Sequence, residues 1–238
     1  ILDASESLDE YDEELDKIFD PKTVFTLPIP KSVPQEPRGA ILFVKYKILK
    51  ILKADKIPIM LGGEHSLTFG ATSAFKEIGF DFSVLWLDAH LDLRDIWNNS
   101  KFNHACPARR TLELGIPIVW VGTRTVGPEE YEFVKEKNLR KNIFFAPRLP
   151  IGKIIDKLNE NVYISLDFDV FDSSIMPSVG TPQPGGLGWY DVLALIKEVI
   201  KKRKVIGADF MEFCPIKNFV APDVLAAKLV YKTINYML

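Results

Sequence analysis

Asp88, His90 and Asp92 stand at alternate positions in Asp88-Ala89-His90-Leu91-Asp92, directly after the apolar run Phe82–Leu87. In an extended chain these two carboxylates and the imidazole would face one side. Crowded at one point they desolvate and repel one another, which makes sense around a cation and is costly otherwise. Three other apolar runs deliver similar groups. Ile57–Leu61 leads through Gly62-Gly63 into Glu64, His65 and Ser66. Val162–Leu166 leads into Asp167, Asp169 and Asp172, and Val205–Ala208 leads into Asp209 and Glu212. The chain's three histidines, His65, His90 and His104, all fall in such loops.

Each signal is weak alone. A lone histidine after paired glycines is more often a packing residue, and an aspartate after a strand commonly caps the next turn. The combination is specific. Two imidazoles and four carboxylates exceed what one divalent ion takes from a protein. They suit two ions held close together, with some carboxylates bridging. Oxygen and nitrogen donors without thiolate favour Mn²⁺ over a structural zinc, while Zn²⁺, Fe²⁺ and Co²⁺ accept the same donors. Two such ions lower the pKa of a shared water and yield hydroxide at neutral pH, so the chemistry implied is metal-assisted hydrolysis.

The elements that must position these groups are legible in the apolar pattern. Strands are predicted over 57–61, 82–87, 117–121, 142–146, 162–166 and 205–208. Helices are predicted over 39–54, 66–78, 108–114, 129–138, 151–160, 190–202 and 221–237. The alternation predicts an α/β fold whose parallel sheet is covered on both faces. In such a sheet the carboxyl ends of the strands share one edge, where ligands bind. Residues 1–20 carry Glu6, Asp9, Glu10, Asp12, Glu13, Glu14 and Asp16 and read as a solvated face. Five prolines between 21 and 38 argue against a regular helix there. With no repeat, linker or low-complexity tract, residues 1–238 read as a single domain.

Composition bounds the partners. At 47% apolar residues the chain can bury a large core. A net charge of -2 offers no electrostatic footprint for nucleic acid or an anionic membrane. No apolar run is long enough to span a bilayer. Two cysteines, Cys106 and Cys214, are too few for a disulfide framework and predict a reducing cytoplasm.

Four separated stretches resemble the signatures of the ureohydrolases, the family that includes arginase and agmatinase. They are Gly62-Gly63-Glu64-His65-Ser66, Asp88–Asp92, Ser165–Asp172, and Gly180–Leu187 with Gly180-Thr181-Pro182-Gln183-Pro184-Gly185-Gly186-Leu187. The likeness runs from about residue 40 to the end. It implies a three-layer α/β/α fold with a mainly parallel central sheet and a dimanganese site on the sheet edge. One ion would take His65, Asp88, Asp92 and Asp167. The other would take His90, Asp88, Asp167 and Asp169, with Asp88 and Asp167 bridging. His104 resembles the histidine that handles protons, and Glu212 the glutamate that grips a guanidinium. Asp92 would also hydrogen-bond the attacking hydroxide. The resemblance further implies homotrimers or hexamers, and an opening strand that this sequence lacks.

Within the family, agmatinases offer the best match. Arg94 stands where arginases place an asparagine for the substrate's carboxylate, and Thr125 where they place an aspartate. Pro184-Gly185-Gly186-Leu187 is also the agmatinase-like form. The expected reaction is agmatine to putrescine and urea, with attack by a metal-bridging hydroxide on the guanidinium carbon. The alternatives are a ureohydrolase acting on arginine, a guanidino acid or formiminoglutamate, and an inactive metal-binding scaffold. Arg94 itself reads as a structural ion pair with neighbouring acids.

Overall fold

The computed structural model describes residues 1–238. Eight strands and eight helices follow in chain order. The strands are β1 (Tyr11–Asp12), β2 (Lys17–Ile18), β3 (Ile59–Leu61), β4 (Ser83–Leu87), β5 (Ile118–Thr123), β6 (Ile143–Phe145), β7 (Asn161–Asp167) and β8 (Lys204–Met211). The helices are α1 (Leu2–Ser5), α2 (Pro37–Lys53), α3 (Thr68–Glu77), α4 (Pro107–Glu113), α5 (Pro128–Glu136), α6 (Ile151–Ile155), α7 (Trp189–Lys202) and α8 (Ala221–Met237). β1 and β2 form a small antiparallel hairpin. The other six strands make one parallel sheet in the order β3-β8-β7-β4-β5-β6.

Alternating side chains divide the core into two layers. Along β4, Leu85 and Leu87 enter a cluster of 27 buried residues that includes Leu195, Ile196 and Leu229 from α7 and α8. Val84 and Trp86 face the opposite way, into 18 buried residues that include Ala71 and Phe75 of α3 and Phe133 of α5. β4, buried at every position, therefore forms the middle of a three-layer α/β/α sandwich, as the alternation of strands and helices predicted. No helix is long and apolar enough to cross a membrane.

Several boundaries moved for visible reasons. α2 starts at Pro37 because the Glu36 carboxylate accepts the N–H groups of Arg38 and Gly39, at 3.0 and 2.7 Å. α6 stops at Ile155, five residues short of expectation. The Arg203 guanidinium caps this helix end, donating to the carbonyls of Ile155 and Leu158 at 2.9 and 3.3 Å. β8 runs three residues past Ala208 because it lies between β3 and β7 and pairs with both up to Phe210. The acidic N-terminal stretch is not a uniformly solvated face. Asp12 is fully buried, 2.7 Å from Lys232 Nζ and 3.0 Å from Asn235 Nδ2 of α8. Glu13 and Glu14 close around the same ammonium, and Glu14 also pairs with Lys197.

Candidate metal centre

Four neighbouring strands, β3, β8, β7 and β4, end on one edge of the sheet, and the six candidate ligands and Glu212 sit on or just after those ends, whereas His104 does not. The approach of β3 to β8 depends on Gly62: a Cβ there would meet the sulfur of Met211 at 2.2 Å. The chain then enters a short 3-10 turn, His65–Leu67, that turns the His65 ring inward against Trp86 (centroids 4.5 Å apart).

The 88–92 stretch converges by folding, not by extended alternation. β4 ends at Leu87, the Asp88 carboxylate accepts the His90 N–H at 2.6 Å, and Asp92 adopts φ +52°. That left-handed conformation swings Asp92 back toward His65. Asp88 Oδ2 lies 3.2 Å from His65 Nδ1, and Asp88 Oδ1 lies 3.3 Å from His90 Nδ1. His65 Nδ1 also meets Asp92 at 3.1 Å and Asp167 at 3.4 Å, while His90 Nδ1 meets Asp169 at 2.9 Å. Two overlapping groups, His65/Asp88/Asp167 and Asp88/His90/Asp169, each place their donor atoms within 4.8 Å of one another. Asp88 belongs to both. Asp167 belongs to the first alone, and Asp92 approaches only His65.

These residues fit divalent cations. His65 Nδ1 is buried without a directed hydrogen bond, although three carboxylates surround it. Burial should lower the pKa of His65, yet contacts with Asp167, Asp88 and Asp92 raise it well above the ordinary value. His90 is likewise pushed up, to about 11, because Asp169 and Asp88 outweigh its desolvation. Asp92 and Asp167 shift upward through burial and the negative charge of adjacent aspartates. Asp88 goes the other way: two imidazoles overcome its burial and hold it low. A buried knot of this kind keeps protons wherever no other cation neutralises it.

Residues outside the ligand set hold the ring from behind. His65 Nε2 lies 2.9 Å from Ser165 Oγ, and that hydroxyl donates to Asp209 at 2.8 Å. Asp209 also accepts the Tyr163 hydroxyl at 2.8 Å. Ser165 and Tyr163 could have been found from the alternation of β7, which points Tyr163 and Ser165 to the same face. Asp209 lies inside β8 and is fully buried, so it supports the ring and does not reach the cluster as a ligand.

Glu212 follows β8 directly, at φ +61°, and its Oε1 accepts the His65 N–H at 2.7 Å. Burial raises its pKa. His104 stays half-exposed at the rim, 3.5 Å from Glu64, whose carboxylate raises its pKa. Arg94 departs from the expected ion pair. Its guanidinium stacks on Trp97, 4.1 Å from the ring centroid, and Asp95 pairs instead with Arg110 and Lys101. Thr125 joins the site through its main chain, donating to the Ala89 carbonyl at 3.1 Å.

Known proteins resemble this chain in sequence and fold. N(1)-aminopropylagmatine ureohydrolase of Thermus thermophilus is 41% identical over 197 residues, covering 81% of this chain and 66% of the relative. The enzyme of that name from Synechocystis is 34% identical, covering 99% of this chain and 80% of its own. The crystal structure of agmatine ureohydrolase of Thermoplasma volcanium superposes with a TM-score of 0.86 at 32% identity, over 99% of this chain and 80% of that one. The chain thus spans about two thirds to four fifths of the length of these relatives. The arginase family model matches residues 1–235, so the likeness includes the acidic N-terminal stretch as well as the motifs from residue 40 onward. The chain belongs to the arginase family.

Proposed function

We propose that the protein hydrolyses a guanidine carrying an amine tail, with agmatine as substrate and putrescine and urea as products. The observation that carries this reading is Asp88, which offers one oxygen to each of two imidazole-bearing groups beside Glu212. His65, Asp88, Asp92 and Asp167 would hold one ion, and His90, Asp88 and Asp169 the other, with Mn²⁺ the best match to these donors. When bound, the two cations supply a strong nucleophile at neutral pH and polarise the scissile carbon. Glu212 binds the planar guanidinium by parallel N–H bonds to its carboxylate. Asp92 orients the nucleophile through its hydrogen bond. His104, whose pKa the neighbouring Glu64 raises, hands a proton to the leaving amine.

The charge pattern favours an amine tail over a carboxylate. Arg94 is committed to Trp97, and Arg124 to main-chain carbonyls, so neither guanidinium is available to bind an amino acid's carboxylate. A second reading, N(1)-aminopropylagmatine as substrate, is favoured by the names of the Thermus and Synechocystis relatives. Urea release with Mn²⁺, followed by identification of the amine, separates the two. Putrescine from agmatine at the higher kcat/KM supports the first reading, and a preference for the aminopropyl substrate supports the second. Turnover of arginine or a guanidino acid alone would overturn both. Polyamine formation in the cytoplasm and a homo-oligomeric assembly belong to this reading, and light scattering checks the assembly.

A further inference from the structure

Arg124 follows β5 and carries a guanidinium that meets no carboxylate. Its donors are directed at six main-chain carbonyls. Nη2 donates to Asp169 at 2.6 Å, Gln183 at 2.8 Å and Phe171 at 3.1 Å. Nη1 donates to Gly122 at 3.0 Å and Val170 at 3.4 Å, and Nε donates to Pro184 at 3.1 Å. A guanidinium has five N–H donors in a rigid fork, so this one is fully used.

Apart from Gly122, which lies in β5, the carbonyls belong to two loops that also meet through their main chains, the Leu187 N–H donating to Val170 and the Asp172 N–H to Leu187, both at 3.0 Å. Asp169, Val170 and Phe171 lie on the loop that presents Asp169 to His90. Gln183 and Pro184 lie on the loop from 180 to 187. That second loop touches the substrate side: Gly180 sits beside Glu212, and the Thr181 hydroxyl reaches Asp169 at 3.5 Å. The main chain of Arg124 is itself pinned to the site, because its N–H donates to the Ala89 carbonyl at 2.9 Å, and the Ala89 N–H donates to Asp169 Oδ1 at 3.0 Å. Arg124 therefore braces the junction from both ends, its guanidinium bridging the Asp169 loop and the 180–187 loop and its main chain holding the 88–92 stretch.

We propose that Arg124 is a positioning residue that couples occupancy of the cation position at His90 and Asp169 to the conformation of the 180–187 loop. The proposal rests on the dinuclear reading above. Arg124 acts through Asp169 and touches no substrate. A lysine at this position keeps the charge but offers three donors from a point and cannot reach both loops.

The test uses the full chain, with Mn²⁺ as the probe and no substrate. Arg124→Lys and Arg124→Gln are titrated with Mn²⁺ by calorimetry beside the wild type. Loss of an outer hydrogen-bonding partner typically weakens a metal site about 10- to 100-fold. The expected result is one ion bound as in wild type and the other weakened about tenfold or more. Hydrogen exchange of the wild-type chain is measured in parallel, so that the test survives a variant that does not fold. Peptides covering 180–188 are expected to exchange more slowly after Mn²⁺ is added, and this slowing is lost in Arg124→Lys. Two ions bound with wild-type affinity in Arg124→Lys, or no slowing in the wild type, overturns the coupling alone. A wild-type chain that takes up no Mn²⁺ overturns the dinuclear reading and the coupling with it.

Discussion

The Ser165 hydroxyl lies 2.9 Å from His65 Nε2 and spends its own proton on Asp209, 2.8 Å away. It can therefore only accept from the imidazole. Nε2 carries a hydrogen, and Nδ1 is left to face the aspartates. Ser165→Ala removes that acceptor from a fully buried ring. Metal affinity is expected to fall about 10- to 100-fold, with little change in the affinity for a competitive guanidine measured at saturating Mn²⁺. Calorimetric titration with Mn²⁺ checks this, and an unchanged affinity would show that packing on Trp86 alone fixes the ring.

Asp88→Asn leaves the shape of the cluster and removes the charge that both imidazoles share. Both ions are expected to weaken together, and urea release should drop by at least about 100-fold, in the range for buried charged pairs that lose one partner. Elemental analysis of the dialysed variant decides it. Retention of two ions would remove Asp88 from its bridging role.

The metal-free chain should lose stability as pH rises from about 6.5 toward 11. His65 and His90 have folded-state pKa values raised above their ordinary range, His90 to about 11. In that window the folded state binds more protons than the unfolded chain. Its contribution is thus full below the unfolded value and is lost as pH climbs through the folded one. Melting temperatures of EDTA-treated protein across this range test the sign. Added Mn²⁺ should reverse the trend, because the ligands bind metal only after giving up those protons.

Glu64→Gln should move the alkaline limb of the kcat profile to lower pH. The Glu64 carboxylate holds the His104 pKa up, and neutralising it lets that pKa fall. If protonated His104 serves the leaving amine, less of it remains charged at a given alkaline pH. An unmoved limb in a variant that still binds two ions would assign the proton to another donor.

Lys232→Met should destabilise the fold by about 3 kcal/mol or more, because it strands the buried carboxylate of Asp12. The double variant with Asp12→Leu is expected to recover much of that loss, since a buried pair replaced by apolar groups is often neutral. Urea denaturation of the single and double variants measures both.

The six parallel strands were legible because buried strands write continuous apolar runs, and the ligand groups were legible because each follows such a run. What the pattern could not supply was curvature. Asp88, His90 and Asp92 suggested convergence through extended alternation, but Asp92 converges through a positive φ that no spacing announces. Asp209 resembled a strand end because aspartate is rare inside buried strands, yet Tyr163 and Ser165 satisfy it there. Asp12 was hidden among seven acids, since its burial depends on Lys232, 220 residues away. Arg94 lay beside acids in sequence, but its guanidinium found an aromatic ring instead.

The place of β8 has a consequence for when the site can exist. Within the sheet β3 pairs with β8 alone, and β8 separates it from β7. His65 therefore meets Asp167 only after a strand made some 140 residues later, by sequence position, has slotted between their parents. Contacts of such long range close late in folding. A chain still being synthesised would hold the 88–92 stretch without Asp167 and Asp169, so the two overlapping donor groups exist only once the sheet is closed.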